Sequence, residues 1–219
     1  MTETYVRPVR VAGLCVVVLL VLSVASLSAT TLSGNMTADN AFFAYISTDD
    51  SVLGTLIASG NDWGTTFSFS GAALTPGVTN YLHVEAINYG LENGLIGDFH
   101  LSDSGFYFGN STQTLLTGMA NWFGGYNDDN SQVVPQPWVP VSGGVADLGI
   151  NGVGPWGFRN GIDPNAHWIW PSDNQSSGCQ YCTVDFSTPI YSNVPEPGTF
   201  GLIASGVLGL AGMIRKRLP

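Results

Sequence analysis

Basic residues are almost missing from the body of this 219-residue chain, which contains only six Lys and Arg in total. Five of them lie within the first ten or the last five residues, so Arg159 is the single basic residue between positions 32 and 194. That stretch holds 14 acidic residues against one arginine, a formal charge of −13. Because a nucleic-acid partner requires Lys and Arg to neutralise phosphates, this composition excludes nucleic-acid binding.

Strong helix formers are also scarce, since residues 32–194 contain no Lys and only two Glu. Short runs of alternating apolar and polar residues are frequent instead, and Gly- and Asn-rich turns separate them. These runs occur at 41–47, 65–70, 81–87, 106–108, 168–170 and 183–186. The pattern predicts an all-β fold, a single β-sandwich or jelly roll over residues 30–192. The Gly/Asn/Pro-rich stretch 118–165 is expected to form loops that cover the sandwich.

The alternation in the run 81–87 also predicts the direction of its side chains. Leu82, Val84 and Ala86 occupy one set of alternate positions and are expected to face the core. His83 and Glu85 occupy the other set and are therefore expected to face solvent.

The N-terminus has the pattern of a secretory signal peptide over residues 1–28. Two arginines precede an unbroken run of 12 apolar residues from Val11 to Leu22. As a helix this run is about 18 Å long, too short for a bilayer core of roughly 30 Å. Small residues follow, which permit cleavage after Ala25 or Ser28. We therefore expect export by the Sec translocon and cleavage by signal peptidase, with an uncleaved anchor as the alternative.

The C-terminal segment, residues 194–219, combines a rigid turn, an apolar stretch and a basic cluster. The turn is Pro195-Glu196-Pro197, the uncharged apolar stretch is Phe200–Ile214, and the basic cluster is Arg215, Lys216 and Arg217. This order resembles the PEP-CTERM sorting signal of bacteria that make extracellular polysaccharide. The resemblance implies processing by an exosortase, an integral-membrane cysteine protease. It also implies a Gram-negative envelope, with the basic cluster on the cytoplasmic side of the inner membrane.

A second resemblance lies in the body of the chain. The segments Thr37–Phe42, Ser59–Trp63 and Trp168–Trp170 are similar to strands of galactose-binding-like jelly rolls. Ser47–Asp50 stands where those domains usually have an Asn-Gly turn. The resemblance implies a sandwich fold, and it supports carbohydrate binding as an alternative function.

The motifs of common enzyme classes are not found in the sequence. There is no Gly-x-Ser-x-Gly, no His-Glu-x-x-His and no phosphate-binding glycine loop with a lysine. Glycoside hydrolysis needs paired carboxylates, and only Glu85 and Glu92 offer a glutamate for that work. The sequence therefore predicts a protein that is not an enzyme, with a divergent glycan-active enzyme as the least favoured alternative.

Cys179 and Cys182 form the internal cysteine pair of the sequence. In an exported protein a disulfide between them is the favoured interpretation. A metal half-site lacks a second pair of soft ligands, and a redox motif lacks its neighbouring helix. The predicted disulfide would constrain a local turn before the last strand.

Two further sets of residues are candidates for binding. Ca²⁺ prefers the carboxylate oxygens of which the sequence has a surplus, but no strict Asp-rich loop is present, so a solvated acidic surface is the favoured interpretation and a structural Ca²⁺ is the alternative. The metal candidates are Asp49, Asp50, Asp128 and Asp129. The tryptophans of the loop-rich stretch are candidates for stacking on a sugar, whereas Trp168 and Trp170 share a face and are expected in the core. The ligand candidates are Trp122, Trp138 and Trp156.

Together these features predict an exported, non-enzymatic component of the cell envelope or extracellular matrix. It is expected to be anchored in the inner membrane by its C-terminal segment before it reaches the cell surface. Association with exopolysaccharide is the expected context, and a carbohydrate-binding module with a defined sugar site is the alternative.

Overall fold

The computed structural model describes residues 29–127, 136–171 and 181–193, together with the single residue Gly206. These residues form twelve β-strands. In chain order the strands are β1 (Thr31–Asp39), β2 (Ala41–Ser47), β3 (Thr55–Gly60), β4 (Phe67–Ala73), β5 (Asn80–Asn88), β6 (Gly94–Leu101), β7 (Phe106–Phe108), β8 (Thr114–Leu116), β9 (Phe123–Asn127), β10 (Ala146–Ile150), β11 (His167–Trp170) and β12 (Cys182–Ser192). The predicted N-terminal helix, and all of the predicted C-terminal helix except Gly206, lie outside the described residues.

The prediction of an all-β fold is confirmed. Five of the six alternating runs lie within β2, β5, β7, β11 and β12, and the sixth begins two residues before β4. The stretch 118–165, predicted as loops, is different, because it contains β9 and β10. β9 forms by pairing with β12, which is distant in sequence, and β10 pairs with β11 across a loop of 16 residues, so the local pattern does not reveal either strand.

The strands form two six-stranded sheets in which every pairing is antiparallel. Sheet A has the order β10-β11-β6-β1-β4, and β8 also pairs with β6. Sheet B has the order β3-β2-β5-β12-β7, and β9 also pairs with β12. The two central strands of sheet B, β5 and β12, are paired over nine residues of each strand.

The core lies between the two sheets and is built by the alternation of apolar residues along each strand. Trp170 of sheet A and Phe186 of sheet B meet edge to face, with ring centroids 5.7 Å apart. On the other side of the core, Phe42 of sheet B meets Phe67 of sheet A in the same geometry, at 5.7 Å. Phe42 and Phe186 are fully buried, and each contributes roughly 1.5–3 kcal/mol through the removal of apolar surface from water. These cross-sheet contacts define the fold as a β-sandwich.

A smaller apolar cluster lies apart from this main core. Trp156, from the loop between β10 and β11, stacks on Trp168 of β11 with ring centroids 4.4 Å apart. Ile96, Ile162 and Ala166 complete the cluster. Trp168 and Trp170 are both fully buried, as expected, but they belong to different clusters.

Candidate functional site

The outer face of sheet B carries a line of polar side chains on its two central strands. The antiparallel register places Glu85 opposite Asp185 and His83 opposite Ser187. Because successive side chains of a strand point to opposite faces, these four lie on the face away from Leu82, Val84 and the rest of the core. Because β5 and β12 are central strands, the carboxyl groups of Glu85 and Asp185 lie far from the sheet edges, where solvent would hydrate them.

The prediction that His83 and Glu85 face solvent is wrong. Both residues are on the predicted face, but both are 0% exposed. They are covered by residues 136–142, a segment without regular secondary structure that we call the strap. The strap forms a second layer over sheet B, so the outer face of β5 is an interior surface.

The strap is held by hydrogen bonds to buried polar groups. The backbone N–H of Gln136 donates to Oε1 of Glu85 at 2.8 Å. The indole N–H of Trp138 donates to the backbone carbonyl of Asp50 at 2.7 Å. The side chain of Asn127 donates to the carbonyl of Pro137 at 3.3 Å. These contacts supply partners for backbone groups that a loop over a sheet would otherwise bury unpaired.

Glu85 is a buried carboxyl group with a donor on each oxygen. Gln136 occupies Oε1, and the hydroxyl of Tyr45 donates to Oε2 at 2.8 Å. Burial raises the pKa of Glu85, and the two donors oppose that rise. Burial and the neighbouring Glu85 also raise the pKa of Tyr45, so the phenol keeps its proton and remains a donor.

Asp185 is even more perturbed. Burial, followed by the charge of Glu85, raises its pKa from 3.8 to about 7. The Asn127 side chain donates to Oδ2 at 3.1 Å, and the backbone of Val139 in the strap is also hydrogen-bonded to this carboxyl group. Oδ1 is buried and has no hydrogen-bond partner in the described part of the chain. The acid pair, Glu85 and Asp185, therefore holds a proton below about pH 7, and at pH 7 Asp185 is about half protonated.

His83 lies beside the acid pair and under the strap. Its ring stacks on that of Trp138 with centroids 4.0 Å apart. Nε2 lies 3.0 Å from Oδ1 of Asp50, and Nδ1 lies 3.2 Å from the carbonyl of Leu53. Burial lowers the pKa of His83, whereas Asp50 and the carbonyl of Leu53 raise it, and burial is the larger effect.

A groove of about 300 Å³ opens beside the strap on the same face. Its lining combines aromatic rings, hydroxyl groups and one carboxylate. The lining residues are Asp50, Thr79, Tyr81, Phe123, Val141, Ser142, Ser187, Pro189 and Tyr191. Val141 and Ser142 belong to the strap, so the strap forms one wall of the groove.

The predicted ligand-contact tryptophans are placed differently from the expectation. Trp122 is buried in the main core, and Trp156 is buried in the smaller cluster. Their indole N–H groups donate to Leu116 O and Asp39 Oδ2, at 3.1 Å and 2.9 Å. Neither ring is available to a ligand at the surface. Trp138 is half-buried, and its ring is occupied by His83.

The predicted metal ligands are only partly described. Asp49 accepts from the backbone and the hydroxyl of Ser51, so it stabilises its own turn. Asp50 accepts from the hydroxyl of Ser187 at 2.8 Å and faces His83. Asp128 and Asp129 lie outside the described residues. No group of three or more His, Cys, Asp or Glu within the described ranges is placed to hold a metal ion, and the structural Ca²⁺ stays a prediction.

The cysteine pair is also partly described. Cys182, the first residue of β12, is disulfide-bonded. Its predicted partner, Cys179, lies outside the described residues, and so do the sorting turn Pro195-Glu196-Pro197 and the basic cluster Arg215-Lys216-Arg217.

Several residues of the outer face were not anticipated from the sequence. They are Tyr45, Asn127, Gln136 and Asp185. The sequence contains one signal for Asp185, which is an acidic residue in the middle of the alternating run 183–186. Its pairing with Glu85, 100 positions earlier, has no local signature.

Comparison with known proteins shows that the C-terminal segment of the chain matches a known sorting motif. Residues 193–217 match the PEP-CTERM protein-sorting motif, which confirms the resemblance found in the turn, the apolar stretch and the basic cluster. The motif indicates export, sorting by an exosortase to the extracellular side and anchoring through the C-terminal region. Neither a curated protein nor a solved structure matches the chain, so the resemblance to galactose-binding-like domains stays a prediction. Within the described residues, no helix has the length and apolar character needed to cross a membrane.

Proposed function

We propose that this protein is a non-enzymatic component of the cell envelope or extracellular matrix of a Gram-negative bacterium. The observation that carries the proposal is the position of the sorting motif, which begins at residue 193, directly after β12 ends at Ser192. The sandwich is therefore the cargo that the motif delivers. The proposed route uses the Sec translocon, signal peptidase and finally an exosortase at the inner membrane.

The environment of the acid pair supports a non-enzymatic role. A general acid or base must come within about 3 Å of the group it protonates, directly or through one water. Glu85 and Asp185 are buried under the strap, and Glu85 has protein donors on both oxygens. Glu92, the other glutamate of the sandwich, lies in the β5–β6 loop, where its charge acts on Asp39. In this geometry the carboxyl groups support the strap.

A complementation experiment tests the non-enzymatic role. A strain without this gene is given the wild type, the double variant Glu85→Gln/Asp185→Asn, or Glu92→Gln, and the amount of protein and of retained matrix polysaccharide is measured. At equal protein levels, each variant should restore the matrix as well as the wild type does. Loss of the matrix in a variant that is exported, accumulates normally and binds the polysaccharide as the wild type does would identify an enzyme instead.

The groove favours a second candidate, a saccharide-binding role on the same face. Tyr191 and Phe123 are partly exposed at its walls, and aromatic faces of this kind pack on sugar rings. Asp50, Ser142 and Ser187 supply acceptors and donors for hydroxyl groups. Residues 32–194 have a formal charge of −13, which repels acidic polymers, so the expected ligand is a neutral polysaccharide.

Binding of neutral oligosaccharides to the full-length protein tests this candidate. Tyr191→Ala should reduce the affinity at least tenfold, because it removes one aromatic wall of the groove. Tyr89→Ala is the matched control, since Tyr89 is an exposed tyrosine that directly follows β5 and lies outside the groove. Equal binding by the two variants, or no binding by the wild type, would exclude the groove as a sugar site.

A further inference from the structure

Several residues of the strap are hydrogen-bonded to the acid pair, either directly or through Asn127. Gln136 donates its backbone N–H to Glu85, and the backbone of Val139 is hydrogen-bonded to Asp185. Asn127 links the two layers, because its side chain donates both to Asp185 and to the carbonyl of Pro137. The strap is therefore held in place by two carboxyl groups that lie opposite each other on neighbouring strands.

No cation in the described surroundings compensates the charge of this pair. Tyr45 of β2 faces Glu85 as a neutral donor, and Asn127 of β9 is uncharged. His83 and Asp50 are the neighbouring titratable groups, and they face each other. The strap contributes no titratable side chain, and Arg159 is hydrogen-bonded to the carbonyl of Trp156, a residue that packs on sheet A.

We propose that the strap is a latch controlled by one proton: it is seated while the acid pair holds that proton, and it is released when both carboxyl groups are ionised. Like charges directly opposite each other on adjacent strands are destabilising, and release allows water to hydrate both. Oδ1 of Asp185, which has no hydrogen-bond partner among the described residues, is hydrated by that water. Release also moves Val141 and Ser142, and with them one wall of the groove. The latch operates whether or not the groove binds a sugar.

The expected pH dependence follows from linkage. Burial raises the pKa of Asp185 from 3.8 to about 7 under the strap, and release returns it toward its ordinary value. Between those two values release frees one proton, so the opening constant rises by up to about tenfold per pH unit and then levels off above about pH 7. Below pH 6.5, the ordinary pKa of histidine, His83 has the opposite effect and raises the opening constant as the pH falls. Burial lowers the pKa of His83, so release of the strap favours its protonation.

Hydrogen exchange of the full-length protein, followed by mass spectrometry, measures the opening of the strap directly. Protection of peptides from residues 136–142 is compared at about pH 5, 7 and 8 after correction for the intrinsic exchange rate. The isosteric variant Asp185→Asn removes the proton from the equilibrium while His83 remains. The ratio of opening in the wild type to opening in Asp185→Asn should rise about tenfold or more from pH 5 to pH 7 and then stay constant. Glu92→Gln, which removes one charge from the β5–β6 loop, should follow the wild type.

Three results would overturn the latch. One is an opening ratio that is the same at every pH. Another is a parallel loss of protection in peptides from β1 and β6, which would indicate global unfolding. The third is a strap more open in Asp185→Asn than in the wild type above pH 7, which would make the carboxylate a structural ligand of the strap. If Asp185→Asn does not fold, Glu85→Gln is compared instead. This variant removes the repulsion by Glu85 and leaves Asp185 buried, so its opening should rise less with pH than that of the wild type and level off at a lower pH.

Discussion

Glu85 on β5 and Asp185 on β12 are directly opposite partners in the central antiparallel ladder of sheet B, and both side chains are buried. Side chains in this relationship have Cβ atoms about 4.5–5.5 Å apart, a distance at which two charges repel strongly away from water. Two hydrogen-bond donors stabilise the carboxyl group of Glu85, and burial and the charge of Glu85 raise the pKa of Asp185 to about 7. The stability of the domain is therefore linked to pH.

We expect the acid pair to make the protein less stable as the pH rises from about 4 to 7. The folded state keeps the Asp185 proton up to its pKa of about 7, whereas the unfolded chain loses it near 3.8. The Asp185 proton therefore stabilises the folded state fully below the pKa of the unfolded chain. This stabilisation, on the order of 2–4 kcal/mol, is lost as the pH rises through the pKa of the folded state. His83 has a lowered pKa, so its contribution has the opposite sign and is lost as the pH falls below 6.5.

Urea unfolding of the wild type and Asp185→Asn at several pH values separates the two groups. The difference in unfolding free energy between the proteins contains the contribution of Asp185 and cancels that of His83. Asp185→Asn should match the wild type within about 1 kcal/mol at pH 5 and exceed it by roughly 2 kcal/mol or more at pH 8. A constant difference across this range would mean that Asp185 titrates normally in the folded protein.

The hydroxyl of Tyr45 should stabilise the acid pair through its hydrogen bond to Glu85. Tyr45→Phe removes a donor at 2.8 Å and leaves a buried carboxyl oxygen without its partner. The expected loss is about 1–3 kcal/mol in unfolding free energy, and it should be larger at pH 8 than at pH 5 because the bond serves the charged form. Tyr89→Phe, at an exposed tyrosine, should change stability by less than about 0.5 kcal/mol. Equal effects of the two substitutions would show that the hydroxyl of Tyr45 makes no net contribution.

The alternation of residues predicted the strands well because a strand in a sandwich buries one face in the common core. Leu82, Val84 and Ala86 are each fully buried, as their positions in the run 81–87 indicate. The same alternation gave the wrong environment for His83 and Glu85. The layer that covers them begins 51 positions after Glu85, and a period of two describes only which face a side chain takes.

The tryptophans show a second limit of local patterns. Trp122 and Trp156 lie in a stretch rich in Gly, Asn and Pro, from which exposure was expected. Both are buried, because a large ring stabilises a loop against the sandwich when its N–H group finds an acceptor. The position of a residue in a loop does not by itself determine whether its side chain is exposed.

The contact of Gly94 with the stacked tryptophans leaves no room for a methyl group. A Cβ atom on Gly94 would lie 2.7 Å from Cε3 of Trp168 and 3.2 Å from Cζ2 of Trp156. Since both rings are fully packed, Gly94→Ala should lower the unfolding free energy by about 1–3 kcal/mol. Gly118→Ala is the matched control, because a Cβ there meets no atom within 4 Å. Similar thermal unfolding of the two variants would show that the stack moves freely to admit the methyl group.

The indole N–H of Trp156 should stabilise the buried carboxyl group of Asp39. It donates to Oδ2 at 2.9 Å and opposes the effect of burial, which raises the pKa of Asp39. Trp156→Phe keeps an aromatic ring against Trp168 but removes this donor, so we expect a loss of about 2–4 kcal/mol in chemical unfolding. Trp63→Phe, at a ring that is partly exposed and packs on Arg159, should cost less than about 1 kcal/mol. A small effect of Trp156→Phe would mean that Asp39 is neutral and needs no donor.

The basic cluster at the end of the sorting motif should fix the orientation of the C-terminal segment. The motif spans residues 193–217 and includes Arg215, Lys216 and Arg217. Moving one Lys or Arg to the centre of a bilayer costs about 2.5–3.5 kcal/mol, so we expect the three together to hold that end in the cytoplasm while the turn Pro195-Glu196-Pro197 is read outside. Replacing all three basic residues by Ala should reduce processing and misorient the segment, as cell fractionation and protease protection would detect.

The control Arg215→Lys/Arg217→Lys keeps the charge and should be processed normally. Normal processing of the Ala variant would show that the turn and the apolar stretch are sufficient for sorting, and processing lost in both variants would show that arginine itself is recognised.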